Sequence, residues 1–157
     1  MRSIRFGAAL AAIAATLAMP AGATATQPEP VVITIVEENF LGENTFDATG
    51  GLVCATGTVA PLGGGPTGAT RTFNGGQSFA QAQLLLSLRF ECPDGSFDVL
   101  VRVTLDFATG DTVGTWSVLG GTGAYASLHG AGSITGDRVA PTDLTILDTY
   151  TGGMHLD

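Results

Sequence analysis

The sequence predicts an all-β protein whose strands close into an antiparallel β-barrel. Three observations carry this. Residues 79–119 alternate apolar and polar side chains through three consecutive stretches. Similar short runs recur along the chain, separated by glycine-rich turns. No segment after residue 25 has helical periodicity. A near-continuous meander of short strands has two free edges unless it closes on itself, and closure removes them.

The first residues read as a secretory signal peptide. Arg2 and Arg5 make a basic start, residues 6–19 are an alanine-rich apolar run, and small residues suited to cleavage follow near 23–26. The apolar run is short for a membrane span, and no second run follows it. Residues 1–25 are therefore set apart, and residues 26–157 are read as a single barrel domain.

That domain has no lysine and only Arg71, Arg89, Arg102 and Arg138 against fourteen acidic residues, a net charge of −10. Such a balance argues against nucleic acid or an anionic membrane as partner. Cys54 and Cys92 are the only cysteines. In an exported chain an even count favours one disulfide, closing a loop of nearly forty residues.

In chain order, residues 31–38 (VVITIVEE) are a β-branched first strand. Residues 39–47 read as irregular, and residues 51–60 as a second strand carrying Cys54. Residues 61–78 form a long glycine-rich loop, a candidate lid, with room for a short strand near 69–73.

The central meander follows. On residues 80–92 the even positions are apolar, and on 97–107 the odd ones are. Opposite residues of an antiparallel pair share a face, so the turn between them must hold an even number of residues. An Asp94-Gly95 turn satisfies this. It sets Phe90 opposite Val99 and Leu88 opposite Val101, at the cost of Glu91 facing Asp98. The same rule applied to a turn around residues 108–111 sets Val103 opposite Trp116 and points Trp116 inward. Residues 128–135 and 144–155 complete seven readable strands, with the short run near 69–73 as the candidate eighth.

Residues 114–126 (GTWSVLGGTGAYA), continued by 128–132 (LHGAG), resemble the closing segment of the allene oxide cyclase-like barrel superfamily; plant dirigent proteins have a similar turn. Small secreted bacterial barrels are more similar still, with a cysteine before a Pro-Asp-Gly turn and an ending like Asp148-Thr149-Tyr150-Thr151-Gly152. The resemblance implies an eight-stranded antiparallel barrel around an apolar cavity. Some members cyclise bound hydrophobic substrates, and others steer the coupling of radicals made elsewhere. The catalytic residues of the plant cyclases lie in segments that do not align here, so the resemblance supplies none. Relatives of this fold also pair or form trimers, which implies a homo-oligomer.

An eight-stranded barrel is either filled by its side chains or holds one small ligand. Leu86, Phe90, Val103, Phe107, Trp116 and Tyr125 would line either interior, with Tyr125 plugging or rimming one end. Asp148 stands between Ile146 and Tyr150 on one face of the last strand, and Glu37 lies two residues beyond Ile35. If those faces point inward, both are buried acids of the kind used for proton transfer, and Tyr150 could polarise a substrate beside them. An offset of one residue would turn both acids to solvent.

Residues 121–126 fit G-x-G-x-x-A, but a glycine-rich strand follows where a dinucleotide site needs a helix. His129 and His155 lack a third ligand at suitable spacing, so neither a metal nor a cofactor is expected. Three functions remain: a secreted barrel that encloses and steers a small hydrophobic molecule, an isomerase or cyclase acting on one, and a ligand-free structural domain.

Overall fold

Eight strands pair antiparallel, each with its neighbour in sequence, and the last returns to the first to close the barrel. They are β1 (Glu29–Glu37), β2 (Asn44–Thr49), β3 (Thr56–Pro61), β4 (Gln81–Cys92), β5 (Gly95–Asp106), β6 (Thr112–Gly121), β7 (Leu128–Arg138) and β8 (Ile146–Leu156). The structure is a computed structural model and describes residues 26–38, 42–50, 52–62, 81–139 and 145–157. The leader, most of the glycine-rich loop and the candidate strand near 69–73 lie outside the described residues.

The expected irregular stretch before residue 48 is instead strand β2. Its sequence, NTFDAT, buries only Phe46 among its large side chains, so no apolar period marks it. The second expected strand is shorter than its reading and begins at Thr56.

The parity rule survives in the meander, but both registers are slid by two residues. Between β4 and β5 the two-residue turn is Pro93-Asp94, with Cys92 opposite Gly95 and Phe90 opposite Phe97. Proline suits a turn because its φ is preset and no ladder donor is lost. Gly95, at φ 147°, supplies the backbone conformation that closes the turn. The slip removes the expected Glu91–Asp98 conflict, since Glu91 now faces Ser96. Arg89 faces Asp98 and grips it with two hydrogen bonds of 2.8 and 2.9 Å.

Between β5 and β6, Val101 rather than Val103 faces Trp116. Asp106 sets this turn: its Oδ1 accepts from Ala108 N at 2.8 Å, and its carbonyl accepts from Gly110 N at 2.7 Å. Phe107 therefore falls in the turn and is 47% exposed, which removes it from the expected interior lining. Leu119 is the extra residue of a bulge opposite Asp98 and Val99, and it faces solvent.

The interior is polarised along the barrel axis. β1 begins and β8 ends at one end, where Glu29 pairs with Met154 and Leu128 pairs with Leu156. A short 3-10 turn, Gly123–Tyr125, places buried Tyr125 there as a plug. From Tyr125 a chain of rings runs inward. Tyr125 meets Phe97 edge-on at 5.5 Å, Phe97 stacks on Phe90 at 4.8 Å, and Phe46 and Tyr150 meet Phe90 edge-on at 5.2 and 6.2 Å.

Trp116 lies on the inner wall over two glycines. Its Nε1 donates to the Thr151 carbonyl at 3.3 Å. A Cβ on Gly152 would collide with the Ala131 carbonyl oxygen and come within 2.6 Å of Trp116 Cζ2; one on Gly132 would collide with the Thr151 carbonyl oxygen and reach 2.7 Å from Trp116 Nε1. Gly152→Ala is expected to destabilise the barrel by about 2 kcal/mol in denaturant unfolding, because a packed wall cannot absorb a methyl group without moving a strand.

Cys54 and Cys92 form a disulfide, Cα–Cα 5.9 Å, which fits an oxidising compartment. No described helix is long and apolar enough to cross a membrane.

Candidate functional site

At the end opposite the Tyr125 plug, polar side chains enter the interior. The pairing of β1 with β8 sets Ile35 opposite Asp148 and Glu37 opposite Ile146, so the two carboxyls are diagonal neighbours on the inner face. On the other flank of β8, Asp148 faces Gly136 of β7, which in turn faces Thr112 of β6. Thr112 Oγ1 donates to Asp148 Oδ1 at 2.6 Å, spanning β7. Glycine at 136 makes this possible, because a Cβ there would strike both the Asp148 carboxylate and the Thr112 hydroxyl. Thr112 and Gly136 were not singled out from the sequence. The signal was present in parity: Thr112 shares the inward face of β6 with Trp116.

Asp148 is 6% exposed and Tyr150 2%, while Glu37 is partly buried. Burial pushes the Glu37 carboxyl up to about 8, and the Asp148 charge and a hydrogen bond to Asp148 push it the same way. Burial also raises Asp148, but hydrogen bonds from Thr112 and Glu37 oppose the rise. Glu37 therefore keeps its proton near neutral pH and shares it with Asp148 through a hydrogen bond. Burial and the two carboxyls raise Tyr150 well above the usual phenol range, so it stays a neutral donor.

The wall beside Glu37 is largely apolar, with Asn44 as its other polar side chain. Ile35, Val59, Leu86 and Leu88 border a cavity of about 20 Å³ beside Glu37, room for about one water. Among the residues expected to line the interior, Leu86 borders this cavity. Phe90, Val103 and Trp116 are buried core, and Tyr125 is the plug at the far end. The three candidate acid–base groups, Glu37, Asp148 and Tyr150, come together as one cluster.

The two histidines lie elsewhere, on the outer face. His129 and His155 stack at 5.3 Å and both turn Nε2 toward Asp157, at 3.0 and 3.6 Å.

No family model, curated protein or solved structure matches this chain.

Proposed function

We propose that this is an exported barrel that binds a small, largely apolar molecule at the end bearing Glu37 and Asp148 and holds it in one conformation. The observation that carries the reading is the carboxyl pair itself. Two acids that share a proton inside an apolar wall cost stability and contribute nothing to the strand ladder, whereas a bound molecule with one polar group would use both. The ligand sits at this end because aromatic rings fill the other half. The leader-like residues 1–25, the disulfide and the resemblance of residues 114–132 to allene oxide cyclase-like barrels support export and an enclosed hydrophobic ligand.

Protein purified natively from a secreting host is expected to carry a small molecule in non-denaturing mass spectrometry, released on denaturation. The emptied protein is expected to enhance the emission of an apolar fluorescent probe, and Leu86→Trp to abolish the enhancement by filling the space beside Glu37. A protein that carries nothing and leaves the probe dark overturns the reading and makes the barrel a filled structural domain.

A second reading, an isomerase or cyclase, is favoured by the same pair. Two carboxyls that share a hydrogen bond in a largely apolar wall are the kind of pair that general acid–base catalysis uses.

A further inference from the structure

We infer that His129 and His155 form an outer-face chelate for a copper(II) ion, with Asp157 as its third donor. The site lies at the plugged end of the barrel, opposite the carboxyl pair, and stands independently of the binding reading above. Spacing along the sequence offers the two histidines no third ligand; the fold supplies one. β7 and β8 set His129 directly opposite His155. Opposite residues of an antiparallel pair share a face, so both imidazoles rise from one patch of a rigid ladder. Their ring centroids are 5.3 Å apart and their planes 23° from parallel. Asp157 follows on the same face and is pinned beside the pair by its backbone. Its N–H donates to the Ser127 carbonyl at 3.3 Å, and its carbonyl accepts from Ser127 Oγ at 3.1 Å.

The donor spacing suits one ion. His129 Nε2 is 3.0 Å from Asp157 Oδ2, and His155 Nε2 is 3.6 Å from Asp157 Oδ1. Neighbouring donors around an ion with bonds of about 2.0 Å stand about 2.8–3.3 Å apart. No three His, Cys, Asp or Glu side chains among the described residues are already closed round a metal position. Here the ion has to draw in the two Nε2 atoms, by a tilt of each ring about χ2, a broad torsion that gives at small cost. His155 is the more telling of the two rings. Its Nδ1 is enclosed and has no partner among the described residues, and its Nε2 stands beyond hydrogen-bond reach of the carboxylate. Nε2 is thus the one outward nitrogen of that ring, and an ion there displaces no hydrogen bond of His155. The donor set selects the ion. Two imidazoles and one carboxylate are too nitrogen-rich for calcium or magnesium, which take oxygen ligands. Among divalent first-row ions copper(II) binds such a set tightest. Its remaining positions go to water, which reaches a site where His129 is 56% and Asp157 65% exposed. The net charge of −10 draws any cation toward the surface.

The test uses the folded, disulfide-bonded protein and copper(II) alone, in a buffer that does not bind the ion. Calorimetry is expected to show one ion per chain, and electron paramagnetic resonance to show two imidazole nitrogens on it. His129→Gln and His155→Gln are each expected to lose about 100-fold in affinity, because each removes one arm of a chelate. Asp157→Asn is expected to lose less than either. Saturating copper is expected to raise the wild-type melting temperature by about 5 °C and to leave the double histidine variant unmoved. His129 is exposed, so His129→Gln keeps the metal-free melting temperature and reports on binding rather than on folding. A copper spectrum with one imidazole or none, or an affinity that the histidine variants share with wild type, places the ion elsewhere and overturns the site. Absence of binding overturns it as well, and leaves the pair as two surface rings joined by a carboxylate.

Discussion

Glu37→Gln is expected to make the barrel more stable at pH 8 and above, by on the order of 3 kcal/mol. The Glu37 carboxyl lies near 4.5 in the unfolded chain and is raised to about 8 in the fold. Between those values the folded state binds a proton that the unfolded state releases, so wild-type stability falls as pH rises through that window. Below about pH 4.5 both states are protonated and the group contributes no slope. Above about 8 the fold has lost its proton, and two buried carboxylates face each other. Glutamine keeps the shape and the donor of the protonated acid and cannot ionise, so the variant's stability should fall less steeply over the same range. The raised Asp148 bends the wild-type curve in the same direction. A net charge of −10 would also weaken the fold as acids ionise, but it acts almost equally on both proteins. The difference between the two curves, read by urea unfolding at several pH values, isolates Glu37. Parallel curves would mean that Glu37 is solvated and that the carboxyls do not share a proton.

Reducing the Cys54–Cys92 disulfide is expected to cost about 4 kcal/mol, and to lower the melting temperature by about 12 °C. The cysteines are 38 residues apart, which sets the entropy that the cross-link removes from the unfolded chain. Its placement adds to the effect. β4 and β5 are joined by twelve paired residues, whereas β2–β3 and β3–β4 are joined by four each. The disulfide extends the β3–β4 seam past its last paired residues, and so closes the barrel where hydrogen bonding is thinnest. Hydrogen exchange after reduction should accelerate first in β2 and β3, while the β4–β5–β6 ladder stays protected. Uniform loss of protection would show instead that the barrel opens as one unit.

These expectations indicate how much of the molecule is legible in its sequence. Side-chain alternation named the strands of the meander and which of their faces turn inward. A slip of two residues leaves every face unchanged, so parity alone could not choose between Phe90 opposite Val99 and Phe90 opposite Phe97. The choice was made by the proline turn, the Arg89–Asp98 fork and the Phe90–Phe97 stack. Strand β2 was hidden because its only large buried side chain is Phe46, and it is strand by virtue of its two neighbours. The acids were readable as candidates from their positions beside Ile35 and between Ile146 and Tyr150. That they meet depends on the β1–β8 closure, a pairing between the two ends of the domain that no local pattern encodes. The glycines of β7 read only as those of a glycine-rich strand. Their use is to seat Trp116 and to let Thr112 reach Asp148.

The Tyr125 plug has a consequence for handling the protein. Because β1 starts and β8 stops at the plugged end, anything fused before Glu29 or after Leu156 hangs from the side facing away from Glu37 and Asp148. A tether, a surface or a fluorescent fusion partner can therefore be attached through either strand terminus without standing over the carboxyl pair. Immobilised that way, every copy presents the same face outward, and the barrel becomes an oriented sensor surface.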